Sequence, residues 1–357
     1  MENKRLKLLL ITQIAPPVGG IATWSEKYIK YLENENVDFD IVNTAAIGNR
    51  SLNLMAKKSL LTEMKRALKI WKSICNRVRR DKFDIAHINV VGTKIGLIRD
   101  YISICLLGNK TQKIIQFHSN IEDQLGNGYI SKILLKMVLN KIDAVFVLNN
   151  SSKNVISSMS NKKCFVVNNF IDNQIIRRKP KIINEHIKKI VFTGHILQSK
   201  GIGEIIEASK AFPEICFELI GKNVDVYSEK NYGENIKFLG EISYDDVMQH
   251  LDVADAFLFP SYTEGFSLSM TEAMARGLPI IATDVGANKA MLEEQGGIIV
   301  RCQNVNDIVR AIRRISDRNV REKMSIWNID KVSNNFTVNI VCNRFLNLYN
   351  EVIEGIV

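Results

Sequence analysis

The chain has 357 residues, of which 46% are apolar and 24% charged, with a net charge of +10; this length exceeds what one compact core normally organises, so two domains are expected. No apolar run approaches the ~20 residues of a membrane-spanning helix, and the opening "MENKRLKLLLITQIAPP" is cut by Gln13 and Pro16 before it reaches signal-peptide length. The six cysteines stand apart, with neither CxxC spacing nor a local histidine, so free buried thiols are expected in place of a zinc module.

Charge divides the chain unevenly. Residues 1–178 carry 28 Lys+Arg against 14 Asp+Glu, and residues 179–357 carry 20 against 24. A basic first half implies an anionic partner, either nucleic acid or lipid headgroups. Abundant Lys, Asn and Ile with scarce Pro fit an AT-rich bacterial coding sequence.

Along the chain, short apolar runs bounded by turn residues alternate with longer segments of helical period, the pattern of parallel strands covered by helices. The first run, "KLLLIT", leads through "PPVGGIATW", where Gly19 and Gly20 permit close backbone approach to a ligand or simply serve a turn. The spacing is not GxGxxG and no acidic ribose ligand follows, so NAD binding is not supported. After "FDIVN", residues 56–82 carry ten Lys+Arg and two Asp+Glu around Leu60, Leu61, Met64, Leu68, Trp71, Cys75 and Val78 at helical spacing. This predicts a basic amphipathic helix whose apolar stripe packs on its sheet and whose charge faces an anionic membrane surface. The runs "FDIAHI", "KIIQFH" (ending on His118), "DAVFVL" and "CFVVNN" complete six strands, with a domain boundary in 173–188.

The second half supplies "KIVFTG", "CFELIG", "IKFLG", "DAFLFP", "PIIATD" and "GIIV". "KLLLITQIAPPVGGI" echoes "KIVFTGHILQSKGI", so two similar open sheets are expected, with ligands outside the carboxyl ends of their strands and in the cleft between the domains. The expected domains are residues 1–178, residues 179–334 and a terminal helical segment, 335–357, packing back on the first domain.

"DAFLFPSYTEGFSLSMTEAMARGLP" reads as a buried strand, a turn at Glu264-Gly265, and a helix stopped by Gly277 and Pro279. Open amides near Phe266, Ser267 and Leu268, with the helix dipole, suit a diphosphate. Glu264 lies where an attached sugar would present hydroxyls, and Glu272 where a ribose would; a capping box of Ser269 with Glu272 is the plainer alternative.

The segment "PSYTEGFSLSMTEAMARGLPIIATDVGA", with its Glu, seven residues, Glu spacing, resembles the signature of the retaining glycosyltransferases of family 4. "PPVGGI", "FVVNNFID", "GHILQSKGI", "IKFLGEIS" and "ADAFLFPS" fall in that family's order. The resemblance implies an α/β, GT-B architecture of two Rossmann-like, doubly wound domains facing across a cleft. The first would bind the acceptor and the second a nucleotide sugar of UDP or GDP type. It further implies Glu264 on the transferred sugar, Glu272 on the ribose, the amides after Gly265 on the phosphates, Lys200 neutralising the leaving diphosphate, and His118 near the donor sugar. Where this family commonly has Arg, the chain has His195; a histidine donates to phosphate best when protonated, so activity is expected to decline in alkali. "DFD", residues 38–40, is similar to the metal motif of another glycosyltransferase fold, but is expected to be solvated loop outside the cleft, and neither metal nor cofactor is expected.

The expected activity is retaining, metal-independent transfer of a hexosyl group from a nucleotide sugar to a glycan or polyprenyl-linked glycan. The setting would be bacterial surface polysaccharide synthesis, with a cytoplasmic enzyme held peripherally at the inner face of the membrane through 56–82 and no nucleic-acid partner. Alternatives are a transferase with a small soluble acceptor, or a nucleotide-sugar or nucleic-acid binder without turnover.

Overall fold

The computed structural model describes residues 5–16, 19–45, 60–126, 128–225, 227 and 232–355. Each of the twelve apolar runs singled out above becomes a strand. In the first unit the order is β1 Leu6–Thr12, α1 Gly20–Leu32, β2 Val37–Asn43, α2 Leu60–Arg80, β3 Ile85–Val90, α3 Lys94–Leu106, β4 Gln112–Phe117, α4 Ile121–Leu125, α5 Tyr129–Leu139, β5 Ala144–Val147, α6 Asn150–Met159 and β6 Lys163–Val166. The second runs β7 Lys189–Thr193, α7 Ile202–Ser209, β8 Cys216–Ile220, β9 Ile236–Gly240, α8 Tyr244–Val253, β10 Ala256–Phe259, α9 Leu268–Ala275, β11 Ile280–Thr283, α10 Asn288–Leu292, β12 Gly297–Val300, α11 Val305–Arg314 and α12 Arg318–Asn335, after which most of α13 Val338–Glu354 belongs to the first unit again. The compact units are Met1–Asn168 with Val341–Val357, and Asn169–Ile340.

Both sheets are parallel and six-stranded, ordered β2-β1-β3-β4-β5-β6 and β12-β11-β10-β7-β8-β9. In each, the chain winds outward one way and then returns to wind the other, so strand order reverses once: between β1 and β3 in the first sheet, and between β7 and β10 in the second. A crevice opens outside the carboxyl ends of such a strand pair.

Covering both faces with helices explains why the strands read as continuous apolar runs. In the first unit, Ala86, Ile88 and Val90 of β3 pack with Ile70 and Ile74 of α2, Leu97 and Ile104 of α3, and Leu135 and Val138 of α5. The intervening His87 points to the other face. There its ring lies 5.7 Å from those of Trp24 in α1 and Phe345 in α13, and 5.8 Å from Tyr349. The Tyr349 hydroxyl meets His87 Nδ1 and accepts from the Tyr28 hydroxyl at 3.0 Å. In the second unit, a parallel bridge between Ile171 and Thr337 joins the segments that enter and leave it, with Ile171 N donating to Phe336 O at 2.9 Å.

Three sequence expectations change. Part of the stripe predicted to pack on the sheet lies outward: Leu61, Met64 and Leu68 are 69%, 61% and 58% exposed, while Trp71 and Val78 pack on the core beside Ala67, Ile70 and Ile74, the buried side of α2. Residues 56–59 of that basic segment lie outside the described residues. "DFD" belongs to strand β2, which starts at Val37, and its acids pair with arginines: Asp40 with Arg77 Nε at 3.0 Å and Arg80 Nη2 at 2.9 Å, and Asp38 with Arg5 at 3.5 Å. Of the free cysteines only Cys342 is buried; Cys105 and Cys302 are exposed and the other three half-buried. Among the described residues, no helix is long and apolar enough to cross a membrane.

Candidate functional site

In the second unit the β7/β10 crevice gathers two loops. After β7 the chain passes Gly194 and exposed His195, then makes a short turn over Gln198–Lys200 that ends on Gly201 at φ +74°. A Cβ at Gly201 would lie 2.3 Å from Pro260 O, so only glycine lets this turn press against the end of β10. Tyr262 N donates to Ser199 O at 2.9 Å and fixes the two loops together. Lys200 thereby reaches across: its Nζ lies 2.5 Å from Glu264 Oε1 and 5.7 Å from the centre of the Phe259 ring. The partners are 64 residues apart in sequence. Beside them the Tyr262 hydroxyl donates to Glu204 Oε1 at 2.7 Å, and burial, followed by that carboxylate, pushes its pKa up to about 12.

A third loop closes on the same acid. Gly286, at φ +57°, packs so tightly that a Cβ would lie 2.2 Å from Glu264 O, and Ala287 N donates to Gly265 O at 3.1 Å. Helix α9 follows. Ser267 is its N-cap, with Oγ accepting from Met270 N at 3.2 Å. The helical amides left open are therefore those of Leu268 and Ser269. Phe266 is anchored in the core, its ring 5.2 Å from Phe336 and its carbonyl accepting from Asn169 Nδ2 at 3.4 Å.

This start of the helix removes the capping-box alternative, because Ser267, not Ser269, is the cap and Glu272 lies beyond the first turn. Glu272 Oε1 instead accepts from the Tyr244 hydroxyl at 3.1 Å. Burial and then the Glu272 carboxylate hold the Tyr244 phenol well above its ordinary pKa. Tyr244 and Gly286 escaped the sequence reading: the first opens α8, far along the chain from its partner, and the second is one glycine among 20.

The first unit holds the remaining predicted residues. Gly19 caps α1 and Gly20 begins it; Gly19 is extended, and no described residue lies within 4 Å of a Cβ built at either. His118, just after β4, is held by Asn89, whose Oδ1 lies 2.9 Å from Nε2, while Asn89 Nδ2 donates to Thr12 Oγ1 at 2.7 Å. That partner selects the tautomer with the proton on Nε2 and leaves Nδ1 as an acceptor. Burial, and then nearby His87, bring the His118 pKa down to about 3, so the ring is neutral.

Residues 173–328 match the glycosyl transferases group 1 family. The matched segment spans just under half of the chain and contains Lys200, Glu264 and Glu272. Over 86% of this chain and 87% of the relative, the sequence is 24% identical to an uncharacterized glycosyltransferase of Methanocaldococcus jannaschii. It is 24% identical, over 49% of each chain, to the UDP-Gal:alpha-D-GlcNAc-diphosphoundecaprenol alpha-1,3-galactosyltransferase of Escherichia coli. Among solved structures, sucrose-phosphate synthase of Thermosynechococcus elongatus superimposes with a TM-score of 0.80 over 98% of this chain and all of that one, at 16% identity. At that identity the likeness speaks to fold, and the fold is GT-B.

Proposed function

We propose that this glycosyltransferase moves a sugar, with retention of configuration, from a UDP- or GDP-type donor to a glycan or lipid-linked glycan in surface polysaccharide synthesis. The observation that carries the reading is the Lys200–Glu264 pair at 2.5 Å beside the start of α9, in the crevice where the second sheet reverses its winding. Lys200 and the Leu268 and Ser269 amides would take the charge that grows on the departing diphosphate, which serves in place of a metal ion. Glu264 would bind the transferred sugar and Glu272 the ribose, its Tyr244 contact orienting the carboxylate. His195 would supplement the phosphate contacts.

In the first unit, His118 is assigned to the donor sugar as a neutral acceptor through Nδ1. Gly19 and Gly20, with no described residue within 4 Å of a Cβ at either, would allow a ligand close to the backbone. A carboxylate tied to an ammonium is a poor nucleophile, so a front-face departure, with the leaving phosphate drawing the acceptor proton, fits this arrangement better than a glycosyl-enzyme. A peripheral position at the cytoplasmic membrane face accords with the basic first half.

Thermal melting with UDP-glucose, UDP-galactose, UDP-N-acetylglucosamine and GDP-mannose tests the donor assignment. One of these, at 100-fold its Kd, should stabilise the native protein by about 2.7 kcal/mol, and Glu272→Ala should abolish the shift. No response across the panel would overturn the reading, and an inverted anomeric centre in the product, read by NMR, would overturn retention.

A further inference from the structure

The exposed part of the stripe on α2 adjoins a cavity lined by charged as well as apolar side chains, and the two together have the chemistry of one ligand. The cavity, of 470 Å³, opens at the carboxyl ends of β1 and β3, where the first sheet reverses its winding; Gln13 follows β1, and Thr93 and Lys94 open α3. This is the position at which open sheets of this kind bind ligands.

Arg99 lines the cavity and is only 4% exposed. Its Nε donates to Asp100 Oδ1 at 2.8 Å, which holds the side chain, and its backbone carbonyl accepts from Trp71 Nε1 at 3.2 Å. Nη2 lies 2.6 Å from the same Asp100 oxygen, whereas Nη1 has no hydrogen-bond acceptor among the described residues. Asp100 meets one edge of the guanidinium, and the open Nη1 is costly to bury unless an acceptor meets it as well. The start of α3, capped by the Thr93 side chain on Gly96 N at 3.2 Å, adds its dipole, and Lys94 adds a charge. Among the described lining residues the one carboxylate, Glu63, is paired with Arg66 at 3.1 Å.

Immediately beside it lies an apolar groove of 180 Å³ between α2 and α3, formed largely by Met64, Leu68, Trp71, Ile95 and Ile98; Glu63, Arg66, Ile95 and Arg99 line both spaces. Ile95 and Ile98 are 42% and 47% exposed. Right-handed crossovers place α2, α3 and α5 on one face of the sheet. On α5 the apolar surface continues through Ile130, Ile133 and Met137, all exposed, with Lys132 and Lys136 alongside. Apolar residues interleaved with lysines suit the boundary between headgroups and acyl chains.

We propose that this groove is the acceptor site and takes a lipid phosphate, with the phosphate against Arg99 and the α3 amides and the hydrocarbon chain between α2 and α3. A soluble glycan would not need the groove, and free phosphate would need only the cavity. The acceptor role rests on the glycosyltransferase reading above; the binding itself does not.

Calorimetric titration of the full chain with dodecyl phosphate, below its micellar concentration, tests the site. Saturable binding is expected, with dodecanol and inorganic phosphate each weaker by roughly tenfold or more. Leu68→Glu and Lys94→Gln alter exposed side chains and should each weaken dodecyl phosphate by at least about fivefold with unchanged melting temperatures; they keep the test open if Arg99→Gln fails to fold. Vesicles of phosphatidylcholine with phosphatidylglycerol should co-sediment wild type more than Leu68→Glu. Absence of dodecyl phosphate binding, wild-type affinity in Leu68→Glu, or equal affinity for inorganic phosphate would each overturn the proposal. Because no nucleotide sugar is present, failure here leaves the donor reading standing, and a silent donor panel leaves this one standing.

Discussion

Lys200 and Glu264 form an ion pair whose side chains are 26% and 12% exposed. On the proposed assignment, a diphosphate arriving beside α9 would compete with Glu264 for the ammonium. Neutralising the acid therefore separates binding from transfer. Glu264→Gln is expected to bind UDP about three- to tenfold more tightly, with transfer reduced by at least about a hundredfold. Lys200→Met should weaken UDP by a similar factor. Titration calorimetry with UDP and initial rates with the donor read the two effects; weaker UDP binding by Glu264→Gln would mean that the acid does not oppose the phosphate.

The loop between β10 and α9 is shaped from outside by the loop that follows β11. Gly286→Ala places a Cβ 2.2 Å from Glu264 O on a residue at φ +57°, and backbone must move. A loss of at least about 2 kcal/mol is expected in urea unfolding. Ser267→Ala removes the α9 cap and should cost about 1 kcal/mol. Gly19→Ala provides the contrast: its backbone is extended and no described residue lies within 4 Å of the new Cβ. It should change stability by less than about 0.5 kcal/mol. If instead Gly286→Ala proved neutral, the contact that shapes the Glu264 turn would not be stabilising.

At the scale of the whole chain, the first unit is completed by residues from the far terminus, which close an aromatic cluster over His87. Burial lowers the His87 pKa to about 3, against about 6.5 for an unhindered histidine in the unfolded chain. Between those values the unfolded chain holds more protons, so stability rises with pH and is lost as pH falls from neutrality toward 3. The slope approaches about 1.4 kcal/mol per pH unit from this group. Urea unfolding followed by the fluorescence of Trp24, whose ring lies 5.7 Å from His87, should show a lower midpoint at pH 5 than at pH 7. Carboxylates with depressed pKa values, such as Asp307, which its arginine partners hold low, act in the same sense but at more acid pH. A midpoint independent of pH between 7 and 5, or an unaltered slope in His87→Leu, would contradict this.

Twelve strands were legible because a strand buried on both faces must be apolar throughout, and the turn and helix around "EGFSLSMTEAMARG" because glycine, serine and proline mark a helix by local chemistry. Two features of the same chain were not. On α2, Leu61, Met64 and Leu68 fit a helical period as well as Ala67, Ile70 and Ile74 do, and only packing against β1 and β3 decides which set is covered. Likewise Lys200 meets Glu264, and Tyr244 meets Glu272, across 64 and 28 residues. The sequence by itself determined which segments fold into which elements, since those preferences arise between near neighbours. The tertiary structure alone decided which faces remain open and which charges meet, because contacts between distant segments leave no periodic mark along the chain.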